Sequence, residues 1–185
     1  MASTSPAEIL IKDSTAGNQL VVIADDTYTS TAAGTRTDQI DLAALGAGTA
    51  RQSDGVDFGT RRADLHSVYA GVELVAAVSG TVIDYYIGLS PTTSVRPAGL
   101  TGSDSSYAGT AGDSLDDSLR QLNYIGSLIA TSDTTGTQQN QRIGFFNASE
   151  QFGVIVVDNN TTVSFADNGA NLYVRINPII TEVQT

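Results

Sequence analysis

Residues 67–78 read SVYAGVELVAAV, with Val68, Ala70, Val72, Leu74, Ala76 and Val78 on alternate positions and Tyr69, Gly71 and Glu73 between them. Side chains of an extended chain point to opposite faces in turn, so this alternation predicts a strand with one face buried. The next residues, SGT, predict a hairpin into VIDYYIGLS, where Ile83, Tyr85, Ile87 and Leu89 share a face.

The same signal recurs at short intervals. EILIK and QLVVIA open the chain around the turn-rich DSTAGN, and their low-complexity neighbours suit an N-terminal arm as well as an early hairpin over residues 1–35. Ile40, Leu42 and Ala44 alternate, whereas GAGTARQSDGVDFGTRR reads as loop. In LRQLNYIGSLIAT the set Leu122, Tyr124, Leu128 and Ala130 falls on one face, with Gly126 completing the row. Its Tyr-Ile-Gly repeats the one ending at Gly88, as if two strands of one sheet needed the same bend. RIGFFN puts Ile143 with Phe145. The unbroken apolar run Val154 to Val157 predicts a strand buried on both sides. Asn168 and Gly169 between Val163/Phe165 and Leu172/Val174/Ile176 predict a closing hairpin, and Pro178 an exit along a sheet edge. The one helical turn expected is DSLDDSLRQL, capped by Asp113 or Ser114, with Asp116 and Asp117 in its first turn.

Eight to ten short strands with turn signals between them predict an all-β fold, an antiparallel β-sandwich or jelly roll. The expected organisation is an arm or hairpin over 1–35 and a single domain over 36–185 with one long loop, 90–114. A chain of 185 residues with 41% hydrophobic content can bury one substantial core.

Charge narrows the partners. Twenty acidic residues against nine basic ones give a net charge of −11, and Lys12 is the single lysine. That field repels nucleic-acid backbones and anionic membrane surfaces and favours solubility at high copy number. Cysteine is absent, so there is no disulfide framework and no thiolate chemistry. The opening residues lack a basic and apolar leader pattern, so assembly in a cytoplasm is expected.

Catalytic candidates are sparse. His66 is the only histidine and has no nucleophile motif around it, which places it as a strand-edge surface or interface residue. The carboxylates Asp104, Asp113, Asp116 and Asp117 and the pair Asp25/Asp26 lack EF-hand spacing. Gly46 and Gly48 lack the third glycine of a dinucleotide fingerprint, and Asn147 and Asn160 sit in sequons best read as turns. No catalytic residue, cofactor or metal is expected. The long loop instead offers Arg96, Leu100 and Tyr107 as partner-contact candidates projecting among flexible residues. Tyr28 and the adjacent pair Arg61 and Arg62 join them, because Tyr and Arg are enriched at interface hot spots.

Four stretches, DYYIGLSPTTS, GLTGSDSSYAGTAGDSLDDSLRQLNYIGSLIAT, QRIGFFNASEQFGVIVVDNNT and YVRINPIITEVQ, resemble small virion structural proteins encoded beside the major capsid protein in tailed bacteriophages. The resemblance covers about the last two thirds of the chain. It implies a decoration (cement) protein of β-sandwich or jelly-roll form that self-associates, binds the major capsid protein on the outside of the capsid and reinforces the lattice. A tail or neck component forming rings or tubes and a carbohydrate-binding module using Tyr85, Tyr86 or Tyr107 are the competing expectations. A hydrolase built on Asp113, Asp116 and Asp117 is a third.

Overall fold

The computed structural model describes residues 21–24, 36–59, 63–78, 81–131 and 137–179. They form two sheets. Sheet one runs β2 (Arg36–Gln39), β1 (Val21–Ala24), β11 (Tyr173–Ile179), β5 (Leu65–Val72) and β9 (Gln139–Asn147). Sheet two runs β7 (Ser105–Tyr107), β3 (Thr49–Gln52), β10 (Phe152–Asn159), β6 (Thr81–Ser90) and β8 (Asn123–Ala130), with β4 (Val56–Asp57) continuing beside β10. Every pairing is antiparallel except that of β1 with β2. The molecule is an all-β sandwich, and Val21–Ala24, part of the expected arm, is a strand inside sheet one.

The inward faces follow from strand alternation. Val68, Ala70, Val72, Val174 and Ile176 of sheet one meet Ile83, Tyr85, Ile87, Ile155 and Val157 of sheet two in the main core. A second core lies on the other side of sheet two, where Val154 and Val156 pack with Ala50, Leu100, Tyr107, Leu119 and Leu122. The run Val154 to Val157 is therefore apolar throughout because β10 has a core on each face. Each such side chain contributes roughly 1.5 to 3 kcal/mol by leaving water.

The second core exists because the long loop does not project. Residues 91–122 fold back over sheet two, adding β7 at its edge and the helix α1 (Leu115–Leu119). Ser114 caps α1 by accepting from Asp117 N at 3.1 Å, and Asp116 and Asp117 occupy the first turn. Leu100 sits over Gly88, where a Cβ would collide with it, so Gly88 serves the loop's docking. Polar anchors complete the attachment. Arg51 donates to both carboxylate oxygens of Asp104 at 2.6 and 2.9 Å, and Gln52 accepts from Thr101 N at 2.8 Å.

Five strand expectations change. GAGTARQSDGVDFG holds β3 and β4, with Ala50, Val56 and Phe58 buried. β5 and β6 lie in different sheets, so the first expected hairpin does not form. Nor does the second, because Phe165 bridges to Leu74 just beyond β5 while the strand that follows Asn168 and Gly169, β11, pairs with β1 and β5. At the second, the buried Glu73 carboxylate accepts from Asn168 and Asn171 at 3.1 and 2.6 Å. It thereby holds the 3-10 turn Gly169–Asn171 toward sheet one. In β8 an extra residue, Ile125, sits between Tyr124 and Gly126 in the pairing with β6. The bulge sends Leu122 to the second core and leaves Tyr124 exposed, while Ile125, Leu128 and Ala130 turn to the main core. In β9 the extra residue is Ile143, so Phe146 is buried and Phe145 exposed.

The two bulges meet. Gly126 (φ +155°) lies against the Ile143 carbonyl and Gly144 against the Ile125 carbonyl, each so close that a Cβ would strike backbone. This crossing joins the sheets along one side. Beside it, Gln141 and Gln139 of β9 accept from Ile129 N and Thr131 N of β8 at 3.3 and 3.1 Å. Pro178 of β11 pairs with β5 beyond the stretch Tyr173–Ile176 that β1 flanks.

Candidate functional site

Two surfaces stand out, one on the outer face of each sheet. On sheet two, the end of β6 and β10 away from Leu100 stays uncovered and forms a cleft of about 460 Å³ against α1. Because Ile83, Tyr85, Ile155 and Val157 face inward, Asp84, Tyr86 and Asp158 face outward, and Asp84 stands directly opposite Asp158 in the ladder. Like charges across a strand pair repel. Asn160 offsets this by donating from one amide nitrogen to Asp158 at 2.8 Å and Asp84 at 2.9 Å. Burial pushes the Asp158 carboxyl up, with Asp84 and Asp116 adding to the rise and the Asn160 hydrogen bond opposing it. Asp84 also accepts from Ser127, which is hydrogen-bonded to the Tyr124 hydroxyl.

Two tyrosines wall this cleft. Tyr86 and Tyr124 lie 5.4 Å apart, tilted by 59°. Partial burial, followed by Asp84 and the neighbouring charges, pushes the Tyr86 phenol up to about 12. From the helix side, Asp116 and Arg120 reach the rim, and Arg120 pairs with Asp117 at 3.4 Å. The result is an acidic, aromatic-walled recess, the chemistry that accepts a cationic group.

The outer face of sheet one is the opposite in charge. In its central register Arg175, Tyr69 and Arg142 stand side by side on β11, β5 and β9. Arg175 lies over the Tyr173 ring at 4.4 Å, and Arg142 over the Phe145 ring at 5.2 Å. The Tyr173 ring itself crosses Gly71, and its hydroxyl donates to Asn140 at 2.6 Å. Tyr69 and Phe145 are 44% and 46% exposed, so the centre of this row is open to solvent.

The sequence candidates fall differently. Leu100 and Tyr107 are buried in the chain's own second core, and the Tyr107 hydroxyl donates to Ala98 O at 2.7 Å; neither is a surface anchor. Arg96 folds over Gly102 and donates to Thr101 O at 2.8 Å. Tyr28, Arg61, Arg62 and the pair Asp25/Asp26 lie outside the described residues. His66 is not a surface residue: it shares the inward face with Val68 and packs against Phe58 and Phe146, stacked on the latter at 5.1 Å. Asp104 is occupied by Arg51. Of the remaining acidic candidates, Asp116 alone lines the cleft. Of the three tyrosines proposed for a sugar platform, Tyr85 and Tyr107 are buried and Tyr86 borders the cleft.

Sequence reasoning gives no partner-contact role to Asp84, Tyr124, Asp158 and Asn160, or to Tyr69, Arg142 and Phe145: Tyr69, Tyr124 and Phe145 read only as strand-face residues and Asn160 only as a turn residue. The available signal was polar residues at outward positions of otherwise apolar strands, such as Asp84 in VIDYY and Asp158 after VIVV. Among the described residues no cluster of three or more His, Cys, Asp or Glu is placed to hold a metal. Comparisons with protein-family models, curated proteins and solved structures find no match for this chain.

Proposed function

We propose that this chain is a structural virion protein of the decoration (cement) type, which binds the major capsid protein on the outer surface of a tailed-phage capsid and reinforces the lattice. The observation that carries the reading is the pair of oppositely charged surfaces on the two outer faces of one sandwich. A protein that bridges neighbours needs two such faces on a rigid block, and several modest contacts acting together give it avidity. The folded-back loop supplies the rigidity, since it spends its apolar residues on the chain's own second core. The family resemblance of the sequence and its acidity agree with a non-enzymatic protein present in many copies.

The test is addition of purified protein to undecorated capsids. Co-sedimentation together with a raised capsid melting temperature supports the reading, and protein left in the supernatant removes it. Closed rings or tubes formed without capsid move the assignment to the tail or neck. A carbohydrate-binding reading has the Tyr86 and Tyr124 pair in its favour; glycan-array binding that Tyr124→Ala abolishes would establish it.

A further inference from the structure

We propose that the Arg142 row on sheet one docks into the acidic tyrosine cleft on sheet two of a second copy of this chain, giving a head-to-tail contact between identical subunits. Each surface carries what the other needs. Arg142 is exposed and its guanidinium meets the Phe145 ring and no carboxylate among the described residues, so its charge faces outward. Asp84 and Asp158 are drawn together by a neutral amide and by no arginine among the described residues. Arg120 also borders the cleft, but it is tied to Asp117 on the helix.

Shape and chemistry agree with charge. A guanidinium entering the cleft meets carboxylate oxygens at its floor and the Tyr86 and Tyr124 rings at its walls, combining charge-assisted hydrogen bonds with cation–π contact. The exposed Phe145 and Tyr69 flank Arg142 and supply the apolar surface that such a contact also requires. In a chain with nine basic residues and a net charge of −11, two copies otherwise repel, so an arginine-bearing face and a carboxylate-rich cleft define the favourable orientation.

The two surfaces belong to opposite outer faces of the sandwich, so the contact is heterologous. Each subunit that uses its arginine face leaves its own cleft free for another, and the association extends or closes into a ring according to the rotation between copies. The inference concerns the isolated chain and does not depend on a capsid partner.

The experiment is analytical ultracentrifugation of the full chain at low ionic strength, with Arg142→Glu and Asp116→Arg as the two single-face variants. Wild type should show a weight-average mass that rises with concentration and falls as salt is added. Each variant alone should stay monomeric. An equimolar mixture should give a discrete species of twice the monomer mass and nothing larger, because it pairs one intact arginine face with one intact cleft. Far-UV circular dichroism and thermal melting establish that both variants are folded, and Phe145→Glu and Tyr124→Ala serve as second variants for the two faces. A wild-type chain that stays monomeric at its highest attainable concentration overturns the proposal. So do variants that associate as wild type does, and a mixture that gains no mass over its components.

Discussion

The two outer faces of this sandwich begin from the same strand chemistry and end differently. On sheet two, Leu100, Tyr107, Leu119 and Leu122 come down from the loop and helix and complete a second core. On sheet one, Tyr69, Arg142 and Phe145 remain in water among the described residues. A sheet face holds a cover when it offers apolar positions and gaps to fill, as sheet two does with Val154, Val156 and the gap above Gly88 that Leu100 fills. Alternating arginines and aromatics offer a surface that is costly to bury against the chain's own apolar residues but suited to a polar partner.

The contrast is easiest to break where the cover is anchored. Leu100→Ala removes the side chain over Gly88 and should destabilise by about 2 to 5 kcal/mol in denaturant titration. The equivalent truncation on the bare face, Phe145→Ala, should change stability by no more than about 0.5 kcal/mol. Equal losses would mean that the two faces are not different in kind.

A middle effect is expected at the polar anchor. Asp104→Ala leaves the Arg51 guanidinium without its bidentate partner and should cost about 1 to 3 kcal/mol, with faster proteolysis within 91–122 than elsewhere. Proteolysis that begins instead in sheet one would place the weak point on the other face.

The smallest effect sharpens the comparison through pH. The Asp158 carboxyl is raised in the folded state by burial first, so its contribution to stability is present below its unfolded value and is lost as pH rises through its folded value. Asp158→Asn should therefore stabilise the protein slightly at pH 7, by about 1 kcal/mol or less, and the gain should shrink as the pH is lowered toward 4. A gain that grows on acidification would contradict the direction of that shift.

Much of this architecture was legible in the sequence, and the gaps have physical causes. The alternation of Val68, Ala70 and Val72, the shared face of Ile83, Tyr85 and Ile87 and the doubly buried run Val154 to Val157 are those the sequence predicts, and of the two cap candidates Asp113 and Ser114 it is Ser114 that caps. Tight-turn residues signal that the chain reverses, but not which sheet receives the next strand. At the first expected hairpin the chain accordingly crosses between sheets, and at the second Phe165 bridges to Leu74 instead of pairing across the turn. Bulges shift alternation by one, so Leu122 and Leu128 fall on opposite faces although they are six positions apart, an even spacing. The repeat that mattered was the Ile-Gly at residues 125–126 and 143–144, the two bulges that cross, and the Tyr-Ile-Gly ending at Gly88 serves a separate purpose. Loop anchors such as Leu100 and Tyr107 carry no period because each docks singly, and that concealed the second core.

The glutamines beside the bulge crossing bear on how such a chain survives crowding. A strand at the rim of a sheet ordinarily presents unpaired amides that recruit the rim of another molecule, and fibrous aggregation starts from such pairings. On β8 two of those amides, Ile129 N and Thr131 N, are already taken by Gln141 and Gln139. A side chain occupies the site without extending the ladder, so the rim is capped where an added strand would begin. At these two positions β8 is thus closed to ladder extension by its own neighbour in the fold.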